Sequence, residues 1–363
     1  MPHFNPGLLT LARESREISQ SDLSQETSIP QTLISRFEAG IAQPTDEQIA
    51  AIASALKYPA TLLFQEDRIF GFNASVFFHR KRADMPAKTL RRIHAVLNLT
   101  RMRVDRLLLA VAISPEVELM RMSTEEYGSP ESIAHQVRAL LHLPLGPVAN
   151  LTAAVEDVGV IIAPVKFGST RTDAVSEWIP GHQPIILMNV DDAVGGDRYR
   201  LTLAHELGHL IMHTHPTPSE KMEEEANRFA SEFLMPASEI KHQLRNVRLP
   251  NLALLKSIWK VSMGALLERA KQLGTINSNQ HRYMRVNFGR LGYNTREPAE
   301  LDFPVERPTL LAGLVNAHIK ELRFDAEDLA RLLNLFPEEC TRLYAPELVN
   351  TGLRLMKPNL MRA

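Results

Sequence analysis

The run Arg198-Tyr199-Arg200-Leu201-Thr202-Leu203-Ala204-His205-Glu206-Leu207-Gly208-His209-Leu210-Ile211-Met212-His213 decides how the centre of this 363-residue chain is read. On a helix, His205 and His209 lie one turn apart on one face, so both imidazoles can reach a single tetrahedral ion. Glu206 lies beside His205 on the adjoining face, placed to take a proton from an attacking water. Imidazole nitrogen selects zinc over the hard, oxygen-seeking cations, so Zn2+ is the expected cofactor. His213 continues the same face by another turn. It reads either as a helix-end histidine interacting with the dipole, or as a proton donor or oxyanion partner near the metal. It is kept as the second catalytic candidate because helical phase places no other residue there.

A catalytic zinc leaves one position open and takes a third protein ligand. His215, ten residues after His205, has the spacing of a three-histidine site, but that arrangement turns at a glycine and Met212 stands in its place. The alternatives are Glu223, Glu224 and Glu225 on the next helix, which must bury Ala226, Phe229, Ala230, Phe233 and Leu234. Glu223 precedes Ala226, Ala230 and Leu234 by three, seven and eleven residues and shares their inward face. Glu224 then points to solvent, and Glu225 is intermediate. Glu223 is the expected third ligand, and Asn227, one turn on, is expected to accept a hydrogen bond from a ligand imidazole.

Working outward, three strands are predicted before the metal helix, at Gly159–Ala163, Asp173–Ile179 and Pro184–Asn189, separated by Gly- and Pro-containing turns. Pro184–Asn189 is read as the edge strand, to which a substrate could add as a further strand. Helices are predicted about Asp197–His213 and Ser219–Met235, and again from Asn251 onward. The fold class is α+β and mostly α: an N-terminal helical bundle, a central domain with a small sheet, and a C-terminal helical region.

The first 65 residues read as five short helices. Ser19 to Asp22 and Thr45 to Gln48 have the pattern of capping boxes, and Ile49, Ile52, Ala53 and Leu56 repeat as one apolar face. Gly40 closes the preceding helix, where a left-handed residue is cheapest as glycine. This segment carries four basic side chains against seven acids, a net of −3, whereas Arg68 to Arg106 carries ten Lys/Arg against two acids, a net of +8. The change of sign marks a boundary. Segments are drawn at 1–66, 67–128, 129–275 and 276–363.

Composition narrows the class. The chain is 44% hydrophobic and 23% charged, which excludes wholesale disorder. Its net charge of −1 excludes a globally basic nucleic-acid coat. A single cysteine, Cys340, cannot form an internal disulfide and points to a reducing compartment. No apolar run approaches a membrane span, and the expected localisation is cytoplasmic.

Two resemblances are carried by these motifs. The run Arg200 to His209, with Glu223-Glu224-Glu225-Ala226-Asn227-Arg228-Phe229-Ala230 and Phe233-Leu234-Met235-Pro236, resembles the ImmA/IrrE family of zinc metallopeptidases over about residues 130–245. That resemblance implies a zincin-like fold, with His205, His209 and Glu223 as ligands and Glu206 as general base. Arg198 and Arg200 also match family positions. Residues 6–64 resemble an XRE-type, lambda-repressor-like helix-turn-helix, through Gln20, the run Gln31 to Gly40 and the run Pro44 to Leu56. That resemblance implies that the third helix enters the major groove of double-stranded operator DNA, with the residue contacts that follow. Gln31, Thr32, Ser35 and Arg36 face the bases, because Leu33, Ile34 and Phe37 must pack inward, and Gln20 contacts a phosphate. The sequence departs from the pattern at Ser28, where a turn glycine is usual, and at Pro30. Its acidic balance also leaves phosphate neutralisation to neighbours such as Arg80, Lys81, Arg82, Lys88, Arg91 and Arg92. Gly292 to Pro298 resembles the C-terminal part of longer proteins that join both modules. The apolar helices there are a candidate homodimer interface.

The expected function is a DNA-binding transcriptional regulator with a zinc-dependent, gluzincin-like endopeptidase domain. By the resemblance, it cleaves or senses a protein substrate, a cognate regulator or a toxin, in a stress, mobile-element or toxin–antitoxin circuit. The alternative is a non-catalytic repressor or antitoxin whose metal domain is structural or sensory.

Overall fold

The computed structural model describes residues 3–71, 86–169, 172–190, 195–213 and 220–344. Of these, 3–71, 86–113 and 309–344 form one compact unit and 114–308 form another.

The first unit opens with α1 (Pro6–Ser15), α2 (Gln20–Thr27), α3 (Gln31–Glu38) and α4 (Asp46–Leu56), followed by a 3-10 turn over Ala60–Phe64. The sequence punctuates these helices as their ends require. Ser19 with Asp22 and Thr45 with Gln48 both close reciprocal capping boxes, and Gly40 is left-handed at φ 69°. Leu8, Leu23, Ile34, Phe37, Ile52 and Leu62 are buried between them. Arg13 fixes α1 to α3 through two bonds to Glu38, at 2.6 and 2.9 Å. After α4 comes α5 (Ala87–Leu108), a 22-residue helix that packs along α1 and buries Leu90, Ile93, Leu97 and Met102.

The second unit holds α6 (Thr124–Tyr127), α7 (Pro130–Leu140) and α8 (Leu151–Glu156), then β1 (Ile161–Val165), β2 (Ala174–Glu177) and β3 (Ile185–Asn189). Its core helices are α9 (Gly196–Met212) and α10 (Glu220–Leu234), followed by α11 (Ala237–Ile240), α12 (Leu249–Trp259), α13 (Met263–Gln272) and α14 (Ser278–Leu291). The sheet order is β1-β3-β2, with β1 parallel and β2 antiparallel to β3. The expectation that Pro184–Asn189 is an edge strand is therefore corrected: β3 is central and the edges are β1 and β2. Its first four residues, Ile185 to Met188, are all buried, as a strand covered on both faces requires. Ile162, Ile186 and Met188 share one core with Leu203, Leu207 and Ile211 of α9 and Phe229, Ala230 and Phe233 of α10.

The chain then returns to the first unit with α15 (Leu310–Lys320), α16 (Ala326–Leu333) and α17 (Pro337–Tyr344). Segments far apart in sequence are thus joined in space. Arg16 pairs with Glu339 through two bonds of 2.7 and 2.6 Å while its guanidinium lies over the Tyr58 ring, and Thr61 donates to Asn334. No helix among the described residues is long and apolar enough to cross a membrane.

Candidate metal centre and nucleic-acid interface

α9 is held at both flanks by charge. Arg198 forms a bidentate pair with Asp173, just before β2, at 2.9 and 2.7 Å. Arg200, buried, pairs with Glu306 and donates to the Val148 carbonyl at 2.7 Å. At the first turn, buried Lys256 bridges Asp197 and Glu297 at 2.6 and 2.8 Å. Glu297 also accepts from the Met263 and Gly264 amides that begin α13. This gives the Gly292 to Pro298 stretch a structural task. Further along, Gly208 lets α9 approach α10: a β-carbon there would lie 2.9 Å from the Phe229 ring.

That close approach brings Glu223 of α10 to the histidine face of α9. His205, His209 and Glu223 form a group in which one donor atom from each lies within 4.8 Å of the others. His209 Nε2 is 2.9 Å from Glu223 Oε1, His205 Nε2 is 3.5 Å from Glu223 Oε2, and the two Nε2 atoms are 3.0 Å apart. Ligands at 2.0–2.1 Å around a tetrahedral ion are about 3.3 Å from one another, so these spacings are those of three corners of such a site. The donor set of two imidazoles and one carboxylate fits a metal ion.

The electrostatics agree with the packing. Burial disfavours the Glu223 carboxylate, yet hydrogen bonds from His205 and His209 outweigh it and hold the group well below the usual carboxylate range. For His209 burial prevails and lowers its pKa, keeping the ring neutral as a ligand must be. For His205 burial is overcome by the Glu223 and Glu206 carboxylates, and its pKa rises.

A second layer orients these rings. His205 Nδ1 lies 3.1 Å from Asn227 Oδ1. His209 Nδ1 lies 2.9 Å from His213 Nδ1, and His213 Nε2 lies 3.3 Å from Glu225 Oε2. His213 therefore sits behind His209, on the ring nitrogen opposite the three-donor cluster. Its pKa falls to about 3 through burial and the neighbouring His209 and His205. Glu225 is further held by Thr124 and Lys221, at 3.3 and 3.4 Å. Glu206 is buried, and Ser176 of the edge strand β2 donates to its Oε2 at 2.6 Å. Sequence reasoning missed the roles of Ser176, Thr124 and Glu306, and no local signal marks them. Glu224 is exposed, as its phase implies; His215 lies outside the described residues.

A cleft of about 1000 Å³ runs beside the centre, lined by Glu223 and Asn227 and by Glu131, His135, Arg228 and Glu232.

In the first unit, Gln31, Thr32, Ser35 and Arg36 of α3 are all exposed, while Ile34 and Phe37 are buried and Leu33 is half-buried. Gln20, half-buried at the start of α2, donates to Glu38 at 2.8 Å. Ser28, in the turn before α3, adopts the left-handed conformation at φ 58° that the missing glycine would have supplied. The basic run Arg80-Lys81-Arg82 lies outside the described residues. Arg92 of α5 pairs with Glu17 at 2.6 Å, and Arg91 approaches Glu14 at 3.6 Å.

The fold and these two surfaces define a class: a helix-turn-helix DNA-binding module joined to a metallopeptidase-like domain. Comparison with known families agrees. Residues 9–63 match a helix-turn-helix family model and residues 155–271 match the IrrE N-terminal-like domain. The two matches support a fused architecture, an XRE-type helix-turn-helix followed by an IrrE/ImmA-like domain. No curated protein and no solved structure matches it.

Proposed function

We propose that the chain is a cytoplasmic transcriptional regulator whose second unit is a zinc endopeptidase that cuts a partner protein, in a stress, mobile-element or toxin–antitoxin circuit. The observation that carries this reading is the convergence of His205, His209 and Glu223 at the spacings of a tetrahedral site. Two imidazoles and one carboxylate suit zinc, which when bound polarises a carbonyl and activates water. Glu206, on the turn between the two histidines, accepts the proton of the attacking water and returns it to the leaving amine. Ser176 holds that carboxylate in place. Asn227, and His213 backed by Glu225, fix the two ligand rings. The cleft beside Glu223 gives a peptide segment room to approach from the α10 side, and β2, an edge strand next to α9 that does not line this cleft, is a separate element to which a strand could add. Gln31, Thr32, Ser35 and Arg36 read bases and Gln20 binds a phosphate.

Metal analysis of the purified chain tests the centre first. About one zinc per chain is expected, lowered in Glu223→Gln and kept in Glu224→Gln; equal loss in both removes Glu223 from the site. Glu206→Gln then tests the chemistry. It should keep zinc and fold, yet stop cleavage of the proteins that co-purify with wild type. If wild type and Glu206→Gln leave every bound partner intact and give the same regulatory output in cells, the metal is structural or sensory.

A further inference from the structure

The helix-turn-helix module is acidic where a DNA-binding surface needs positive charge. Its first 65 residues have a net charge of −3, and neutralising phosphates supplies most of the sequence-independent affinity for DNA. The fold brings the missing charge from elsewhere in the chain. The first turns of α5 lie against α1, and there Lys88 and Arg91 line one cleft of about 400 Å³ together with Arg13, Gln20 and Gln31, and with the carboxylates of Glu14 and Glu17, which Arg91 and Arg92 offset. These cations are not equivalent to their neighbour. Arg92 is tied to Glu17 at 2.6 Å and its side chain is 22% exposed, so it serves to offset an acid of α1. Arg91 is 55% exposed and only 3.6 Å from Glu14. Lys88 is exposed and lies near the Asp22 carboxyl, which the Ser19 hydroxyl and amide already hold below its usual range and to which Lys88 adds the smallest contribution.

Resting on the reading of α3 as the base-reading helix, we propose that the start of α5 is part of the DNA interface, with Lys88 and Arg91 holding a backbone phosphate in the cleft that Gln20 and Gln31 share. The Gln31 amide, the second N–H of the Gln20 amide, whose first bonds Glu38, and the two cations offer hydrogen-bond donors and charge together, which is what a phosphate oxygen takes. The cleft is continuous with the exposed face of α3 through Gln31. The partner is therefore the backbone flanking the bases that α3 reads, and the interaction sets register and affinity without reading sequence.

The test uses the full chain and two duplexes of equal length, one carrying the sequence that wild type enriches from a random pool and one unrelated. Kd is measured against salt concentration. Each phosphate deprived of its neutralising cations flattens the plot of log Kd against log salt by about 0.9, so Lys88→Ala with Arg91→Ala, which strips both cations from one phosphate, should flatten it by about that amount. Both duplexes should weaken by the same factor, leaving their ratio unchanged. Arg91→Lys, which keeps the charge, should keep the wild-type slope. An unchanged slope in the double variant, weakening confined to the selected duplex, or a slope flattened equally in Arg91→Lys would overturn the proposal. A wild-type chain that binds neither duplex at low salt would overturn the helix-turn-helix reading itself, and is distinguishable because no variant is then needed.

Discussion

His209 and His213 meet through their Nδ1 atoms, 2.9 Å apart, and the far nitrogen of His213 meets Glu225 at 3.3 Å. One proton arrangement satisfies the whole chain. With a metal ion between the donors, His209 would donate from Nδ1 to His213 Nδ1 and His213 from Nε2 to Glu225, and His209 Nε2 would give its lone pair to the ion in place of the hydrogen bond it gives Glu223. His213 is poorly protonated, with its pKa lowered to about 3, and can accept that bond. Outer partners of this kind fix a ligand ring, and their loss costs roughly 10- to 100-fold in metal affinity. His213→Ala should lower zinc affinity within that range in a chelator competition, while Glu225→Gln, which keeps an acceptor oxygen, should lower it less. Unchanged affinity in His213→Ala would leave His213 a packing residue only.

Gly208 fixes the distance between the two helices that carry the donors. A β-carbon there would meet the Phe229 ring at 2.9 Å, and Phe229 is itself stacked on Phe233 with centroids 5.5 Å apart. Neither ring can swing aside in a packed core. Gly208→Ala should therefore cost about 1–3 kcal/mol in urea unfolding by overpacking. It should also reduce metal content, because Glu223 rides on the displaced helix. Adding Phe229→Leu should recover part of the loss, a coupling visible as non-additivity in the double-mutant cycle.

What the sequence made legible follows one rule: features set by contacts within a turn or two of chain could be read. The capping boxes at Ser19 and Thr45, the left-handed Gly40 and the shared face of His205 and His209 are of that kind. The inward turn of Glu223 was also within reach, because it shares the phase of a strong apolar stripe, but Glu225, expected to be intermediate, is buried as well. Phase failed one residue further along the metal helix. α9 ends at Met212, and His213 as its cap has φ −114° and ψ 92°, so helical extrapolation no longer gives the direction of its side chain. Non-local pairing was not legible at all. The central position of β3, the bond from Ser176 to Glu206 and the return of α15–α17 to the first unit depend on residues 8 to 323 positions apart. An all-apolar short strand carries no sign of how many neighbours it has.

Ser28 is a place where the backbone is more demanding than the residue. It sits at φ 58°, in the turn that sets α2 against α3, and a side chain in this region costs roughly 1–2 kcal/mol. Ser28→Gly removes that strain but gives the unfolded chain more freedom, which returns up to about 1 kcal/mol. A net gain of a few tenths to about 1 kcal/mol is expected, read as a rise in the denaturant midpoint without a change in slope. Ser28→Val should lose stability instead, since a β-branched residue fits this conformation worst.

Arg200 and Glu306 give the last prediction, because their pairing bears directly on how the metal helix is anchored. Arg200 is 1% exposed, close to the middle of the α9 sequence that leads to His205, and burial lowers its pKa even though Glu306 opposes that. Glu306 stands 106 residues further on and also accepts the Thr152 amide of α8 at 2.7 Å. Removing only the carboxylate leaves a buried guanidinium with the Val148 carbonyl as its remaining partner. Breaking one side of a buried pair costs about 3–5 kcal/mol, whereas replacing both members with apolar residues of similar volume is often neutral. Glu306→Ala should therefore destabilise the chain within that range, and Arg200→Met with Glu306→Leu should recover most of it. The zinc content of the double variant adds a second reading. If it matches wild type, the pair only anchors α9. If zinc is lost while stability returns, the charge pair sets the rotation of the helix that presents His205 and His209.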